Sequence, residues 1–331
     1  MKKADLDHRF MEMAFAEAVS VKGMTLPNPP VGAILVKKGR VIGRGRTRSA
    51  GQSHAEIVAL EDAKESAAGA TLYVTLEPCC HYGRTPPCTF ALIAAGVKRV
   101  VAACSDPNPR VSGRGFEQLR RAGIAVQQGL LKEYGDAFYE GFFLYITQGR
   151  PKIILKIAQS LDGRINVRHG IETRITGEDS RRFTHELRAR ADAVLIGGET
   201  LRADNPDLTP RTTGGPIPQA LVLTRKSRHT SHFRLFAKKR RPPTLTLSVP
   251  EKRKAESLMR FFRHKGYHMV LVEGGRAVWA PFLNAGLCDA LYLFTSPKLL
   301  PNGEREEAEI RAASIVAADK IAHHVAGKCH A

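Results

Sequence analysis

Residues 71–88 read Thr-Leu-Tyr-Val-Thr-Leu-Glu-Pro-Cys-Cys-His-Tyr-Gly-Arg-Thr-Pro-Pro-Cys. The first six are β-branched, aromatic or apolar and predict a buried strand. Glu77-Pro78 ends it, and the Gly- and Pro-containing stretch that follows is a loop. From Cys88 a helical pattern runs over 88–95 and stops at Gly96. Working outward, a strand is expected over 97–103, a helix over 116–122 closed by Gly123, and a strand over 124–127. Upstream, 54–64 is helical in character. Short strands over 31–36 and 41–43 flank the turn Lys37-Lys38-Gly39-Arg40 and predict a hairpin. Residues 1–20 mix acids with apolar residues at helical spacing and read as an amphipathic helix rather than a secretory signal. Strand and helix alternate, which predicts an α/β fold with a mostly parallel sheet covered by helices on both faces.

The loop is chemically loaded. His54-Ala55-Glu56 begins one helix, Cys79 follows a strand, and Cys88 begins the next helix. A hydrolytic zinc site needs three protein ligands and one open position. His54, Cys79 and Cys88 supply the three, and helix starts aim backbone N–H groups at the thiolates. Glu56, two residues past His54, sits where a carboxylate carries protons without binding metal. It takes one from the attacking water and returns protons to the ring nitrogen and the leaving ammonia. The competing reading is a closed structural zinc site using Cys79, Cys80, Cys88 and either His54 or His81. That reading leaves Glu56 without a role.

Residues 133–146 are helical and aromatic-rich. Gly149-Arg150-Pro151 breaks them, and a strand pattern starts over 152–158. The domain boundary is placed at 147, giving domains 1–147 and 148–331 for a chain of 331 residues. In the second half strands are expected over 193–196, 220–223, 244–249, 269–272 and 290–295, with a helix over 278–285. Glu273-Gly274-Gly275 ends a strand ahead of that helix, where free backbone N–H groups can cradle a pyrophosphate. A simple tight turn would look the same.

Composition bounds the classes. No run of about 18 apolar residues exists, so no membrane span is expected. The six cysteines do not form a disulfide framework and suit a reducing, cytoplasmic setting. The net charge is +19, and residues 225–265 hold fourteen Lys and Arg against Glu251 and Glu256. Such a field attracts phosphate groups on a small substrate, a cofactor or a nucleic acid. A solvated basic surface accounts for it equally. Aromatics interleaved for RNA stacking are few: Phe233, Phe236, Phe261 and Phe262.

Five segments resemble the bifunctional riboflavin-biosynthesis deaminase/reductase family. They are Thr25–Gly32 (Thr-Leu-Pro-Asn-Pro-Pro-Val-Gly), His54–Glu56, Tyr73–Cys88, Ala95–Val101 (Ala-Gly-Val-Lys-Arg-Val-Val) and Asp106–Val111 (Asp-Pro-Asn-Pro-Arg-Val). The long spacer between Cys79 and Cys88 separates this family from tRNA and cytidine deaminases, which space the same cysteines as Pro-Cys-x-x-Cys. The resemblance implies a cytidine-deaminase-like three-layer α/β/α domain. Its zinc ligands would be His54, Cys79 and Cys88, its proton shuttle Glu56, and Cys80 a bystander. It also implies pyrimidine and ribose-phosphate contacts from Asn28, His81, Arg84, Asp106 and Asn108. Read as residues alone, Asn28 and the Asp106–Asn108 stretch are equally turn chemistry.

In the second half, Leu155–Arg164, Gly197–Arg211 and Leu271–Arg276 resemble the family's dihydrofolate-reductase-like, NADPH-dependent domain in order and spacing. The resemblance implies NADPH contacts from Ala158, Arg174, Thr200, Asp204, Glu273, Gly274, Gly275 and Arg276. It implies substrate contacts from Lys156, Glu172, Arg188, Leu208, Arg211 and Glu273. Arg188 and Arg211 suit a phosphate. Arg174 and Glu172 depart from the usual Trp and Ser, and residues 304–331 read as charged, alanine-rich helix or disorder in place of closing strands. The expected function is zinc-hydroxide deamination of 2,5-diamino-6-ribosylamino-4(3H)-pyrimidinone 5′-phosphate. NADPH reduction of 5-amino-6-(5-phosphoribosylamino)uracil to the ribitylamino product would follow. The partner is that small phosphorylated pyrimidine, with no membrane and no nucleic-acid partner expected and a homo-oligomer left open. The alternatives are a deaminase with an impaired reductase half, and a nucleic-acid deaminase.

Overall fold

The computed structural model describes residues 3–63, 66–83, 85–166, 175–211, 216–225, 232–237 and 242–300. The chain divides into two compact units. The first is built on the chain up to Pro151, with Pro216 and Arg263–His268 counted with it, and the second on the chain from Lys152 onward. Among the described residues no helix is long and apolar enough to cross a membrane.

The first unit runs α1 (Lys3–Ser20), β1 (Gly32–Lys37), β2 (Arg40–Arg46), α2 (Ala55–Asp62), β3 (Thr71–Leu76), α3 (Cys88–Ala94), β4 (Arg99–Cys104), α4 (Arg114–Arg121), β5 (Ala125–Gln128) and α5 (Lys132–Gln148). Its sheet has the order β2-β1-β3-β4-β5. Strand alternation divides the apolar residues between two faces. Ala33, Leu35, Leu72, Val74, Val100 and Ala102 pack with Ala55, Ala59, Leu92, Phe116 and Leu119 from α2, α3 and α4. Ile34, Val36, Tyr73, Val101 and Ala103 pack with Phe10, Met11, Phe15, Tyr139 and Phe142 from α1 and α5. The expected three layers are therefore present.

The sheet is not mostly parallel, however. Only the β3–β4 and β4–β5 pairs are parallel, and β1 is antiparallel to both neighbours. The β1–β2 pair is antiparallel because the hairpin at Lys38-Gly39 joins them, both turn residues having positive φ (48° and 76°), as the tightest two-residue turns require.

The second unit runs β6 (Lys152–Gln159), α6 (Glu178–Arg190), β7 (Ala193–Gly197), α7 (Gly198–Asp204), β8 (Gln219–Leu223), β9 (Leu245–Leu247), α8 (Lys254–Lys265), β10 (Met269–Glu273), α9 (Arg276–Asn284) and β11 (Ala290–Thr295). Here every strand pair is parallel, in the order β11-β6-β10-β7-β8-β9. Central strands β7 and β10 are buried throughout, as a sheet covered on both faces demands. The strand expected over 244–249 is only three residues long, cut off by Pro250 after the sheet edge. Helices α6, α7 and α8 were not expected. The stretch forming α6, Glu-Asp-Ser-Arg-Arg-Phe-Thr-His-Glu-Leu-Arg-Ala-Arg, buries only Thr184 and Leu187, so its apolar period is faint. The segment 304–331 lies outside the described residues.

Close approaches at Gly43 and Gly45 set the position of α2. A Cβ on Gly45 would lie 1.9 Å from the Ala55 carbonyl oxygen and 2.4 Å from the Ala59 nitrogen. Any side chain there must push α2, with His54 and Glu56, off the sheet. Gly45→Ala is expected to cost about 1–3 kcal/mol of stability and to lower bound zinc in parallel. Chemical denaturation with metal analysis checks it, and unchanged stability and zinc would contradict this packing.

Candidate active site

The first site gathers at the C-terminal end of β3. His54 precedes α2 with extended backbone (φ −74°, ψ 166°), and Glu56 lies in the first turn of that helix. Cys79 follows β3 by three residues, and Cys88 is the first residue of α3. The metal-binding atoms of His54, Cys79 and Cys88 lie within 4.8 Å of one another. The His54 Nδ1 is 3.5 Å from Cys79 Sγ and 3.4 Å from Cys88 Sγ. The Cys88 backbone N–H donates to Cys79 Sγ at 3.3 Å, so the first turn of α3 faces a sulfur with its positive end.

These three donors hold one another's protons. The Cys79 thiol is pulled down to about 4, chiefly by a hydrogen bond from Cys88 and then by His54. The His54 ring is raised to about 9, chiefly by its hydrogen bond with Cys79. The Cys88 thiol is pushed up because it donates to its neighbour. Tetrahedral zinc, with Zn–S near 2.3 Å and Zn–N near 2.0 Å, places sulfur and nitrogen about 3.5 Å apart. The two nitrogen–sulfur distances match that, so the residues present fit zinc.

Glu56 is buried and stands outside the three-residue metal group. Burial raises its carboxyl to about 7, and the Cys79 charge adds to the effect. Cys80 turns away, its Sγ 3.6 Å from the Arg110 carbonyl oxygen. That geometry removes it from a four-ligand closed site.

The other residues expected near this centre sit on three loops. Asn28 lies in the turn ahead of β1, tied by its backbone N–H to the Thr25 carbonyl (2.9 Å). A buried polar chain holds this turn against β3. Tyr139 Oη donates to the Pro30 carbonyl (2.9 Å) and contacts Thr75 Oγ1 (2.6 Å), and Thr75 Oγ1 accepts from Gly32 N–H (3.1 Å). Asp106 and Asn108 are turn formers: Asp106 Oδ1 accepts from Asn108 N–H (2.8 Å) and Asn108 Oδ1 from Arg110 N–H (3.0 Å). Burial raises the Asp106 carboxyl to about 6, with the Glu77 and Cys79 charges adding to it. The His81 Nδ1 is buried without a hydrogen-bond partner among the described residues. Arg84 lies outside them.

In the second unit a cavity of about 1160 Å³ opens at the C-terminal ends of the parallel strands, where such sheets bind ligands. It brings together Lys156, Ala158, Arg188, Thr200, Asp204, Leu208 and the Glu273–Arg276 loop. Arg211 is not among its lining residues, and Glu172 and Arg174 lie outside the described residues. Arg188 Nε and Nη2 donate to the two carboxylate oxygens of Glu273 at 2.6 and 2.8 Å. The Nε–Nη2 face of Arg188 is thus taken by Glu273. Burial pushes Glu273 up, but Arg188 and Lys156 outweigh it and hold the carboxyl below its ordinary range. Burial and Arg188 lower the Lys156 amine.

The loop Gly274-Gly275 precedes α9, with Gly274 at φ +130°. A Cβ on Gly274 would come 3.2 Å from Thr200 Oγ1 and 3.4 Å from the Gly197 nitrogen, so glycine keeps the gap between β10 and β7 clear of a side chain. Sequence reading missed Thr224 and Lys254, which also line the cavity. Their signal was available only as position: Thr224 directly follows β8, and Lys254 begins α8 after β9.

A His-Cys-Cys cluster with a buried carboxyl beside it, and a glycine-lined cavity on a parallel sheet, together define a two-domain enzyme of the deaminase–reductase class. A family model of the cytidine and deoxycytidylate deaminase zinc-binding region matches residues 4–104, and one of the RibD C-terminal domain matches residues 151–309. The riboflavin biosynthesis protein RibD of Aquifex aeolicus is 40% identical over 317 residues, covering 90% of this chain and 89% of that protein. RibD of Escherichia coli is 39% identical, with 90% of each chain covered. The solved deaminase/reductase of Thermotoga maritima superposes with a TM-score of 0.75 at 36% identity, covering 95% of this chain and 93% of that one. Acinetobacter baumannii RibD, form 1, gives 0.73 at 34%, covering 96% and 93%. The chain belongs to the RibD family of riboflavin-biosynthesis deaminase/reductases.

The ligand geometry makes a direct expectation. Cys79→Ala and Cys88→Ala lose most bound zinc by metal analysis, while Cys80→Ser retains it. Zinc lost from the Cys80 variant and kept in the Cys88 variant would reassign the ligands.

Proposed function

We propose that residues 1–147 deaminate 2,5-diamino-6-ribosylamino-4(3H)-pyrimidinone 5′-phosphate. Residues 148–331 then reduce the resulting 5-amino-6-(5-phosphoribosylamino)uracil with NADPH. The observation that carries the first half is the convergence of His54, Cys79 and Cys88 beside the buried Glu56. Zinc held by those three supplies an activated water at neutral pH. Glu56 does the proton work: it would pass the proton of the attacking water to the ring nitrogen, then take the hydroxyl proton of the tetrahedral adduct and give it to the amine as the C–N bond breaks and the carbonyl forms. The close Gly45 contact fixes the backbone of α2 from which Glu56 projects. Asn28, His81, Arg84, Asp106 and Asn108 recognise the pyrimidine and its ribose phosphate.

In the second half Ala158, Arg174, Thr200, Asp204 and Glu273–Arg276 would hold NADPH, with the pyrophosphate against the α9 start. The cofactor brings the hydride. Lys156, Glu172, Arg188, Leu208, Arg211 and Glu273 orient the ribosylamine so that its C1′ faces the hydride donor. Glu273 fixes the Arg188 guanidinium, which then points a charged donor at the substrate phosphate.

Glu56→Gln is expected to keep its zinc, lose ammonia release by orders of magnitude, and leave NADPH oxidation on supplied aminouracil intact. Near-normal ammonia release would remove Glu56 from the proton pathway. Arg188→Lys loses the two-pronged pairing with Glu273. Its KM for the aminouracil should rise about tenfold, with deamination unchanged. An unaltered KM in NADPH-oxidation assays would contradict the phosphate role.

A further inference from the structure

Glu77 separates β3 from the Pro78-Cys79 pair and is only 4% exposed. Its carboxylate accepts four backbone N–H groups. Oε2 takes those of Asp106 (3.3 Å) and Gly113 (3.0 Å), and Oε1 those of Gly115 (3.0 Å) and Phe116 (3.4 Å). All four belong to the segment 106–116, the loop that holds Asp106 and Asn108 and then becomes α4. The last two come from the first turn of α4, where a negative charge is favoured.

Further contacts join the same two segments. A Cβ on Gly115 would sit 2.2 Å from the Pro78 carbonyl oxygen, so α4 touches the backbone next to Cys79. The Thr89 N–H donates to the Cys79 carbonyl at 3.2 Å, and Thr89 Oγ1 lies 2.7 Å from Gln118 Oε1 on α4. Cys80 Sγ reaches the Arg110 carbonyl. The loop bearing Cys79 and the loop bearing Asp106 and Asn108 are thus locked together, and Glu77 makes the largest share of the polar bonds between them. Cys79 itself has other supports: β3, the Cys88 N–H and Thr89.

We propose that Glu77 is a positioning residue for substrate recognition. It holds the 106–116 loop in register with the metal ligands, so that Asp106 and Asn108 meet the pyrimidine at the right distance from the metal. The proposal rests on the reading that those two residues contact substrate. Glu77→Gln keeps the shape but turns an amide NH₂ toward two of the four N–H donors. Those donors then lose their acceptor and gain a repelling neighbour.

The test uses the full-length zinc-loaded chain. Wild-type turnover of the diaminopyrimidine checks the substrate reading itself. In the Glu77→Gln variant, the KM for that pyrimidine should rise about tenfold or more. Its kcat should fall much less, zinc content should hold, and NADPH oxidation on supplied aminouracil should be unchanged. The amides of Asp106, Gly113, Gly115 and Phe116 should exchange hydrogen faster, a readout independent of turnover. The double variant with Asn108→Ala should raise KM by less than the product of the two single effects. Three results overturn the proposal: an unchanged KM with unchanged exchange, loss of zinc as the primary defect, or independent effects in the double variant. Should the Gln variant not fold, Glu77→Asp, which retains the charge but not the reach, is read by the same exchange and KM measurements.

Discussion

Everything in the first domain turns on keeping two sulfurs and one imidazole nitrogen within 4.8 Å of one another. Groups of that kind, placed so close, share protons unless a cation replaces them. Here one thiol is driven down, the other up and the ring up, all through mutual hydrogen bonds. The fold imposes the crowding. The β3 strand delivers Cys79, α3 begins at Cys88, and α2 is pressed onto β2 so closely that Gly45 has no room for a Cβ. Metal binding relieves the crowding, so the same constraint that builds the cluster favours its ligand.

The second domain solves a different problem with the same materials. Six parallel strands end in a row of loops, and two of those loops approach closely at Gly274, whose φ of +130° and tight surroundings favour glycine. Beside them a carboxylate and a guanidinium are paired in a largely buried setting. A buried pair of that kind is better regarded as a fixed scaffold for a third charge than as a source of stability. Glu273 fixes Arg188, and both residues line the cavity.

The cluster of His54, Cys79 and Cys88 with Glu56 nearby was legible because each residue sits at a strand end or helix start within a few residues of an unmistakable pattern. The second-half strands were legible as apolar runs, but their all-parallel pairing was not, because helices α6, α7 and α8 between them were not read. The antiparallel β1–β2 pair was legible in its hairpin turn, but the direction of β1 against β3 was not, since an apolar run looks alike whether its neighbour runs with it or against it. Helix α6 was obscured by its charge, although Arg188 on it was singled out from the family resemblance. The Arg188–Glu273 bond spans 85 residues, and the Glu77 bonds span 29 to 39. No local spacing encodes them. Glu77 in sequence is simply an acid ahead of a proline, and only the folded loop shows it as the acceptor for four amides.

The central claim is that two separate sites act in turn on one pyrimidine. It is tested most directly by incubating the zinc-loaded chain with 2,5-diamino-6-ribosylamino-4(3H)-pyrimidinone 5′-phosphate, with and without NADPH, and separating the products. The account predicts ammonia and the ribosylaminouracil without NADPH, and the ribitylamino product only with it. Ribityl product with no ammonia release, or no conversion of the pyrimidine under either condition, would contradict it.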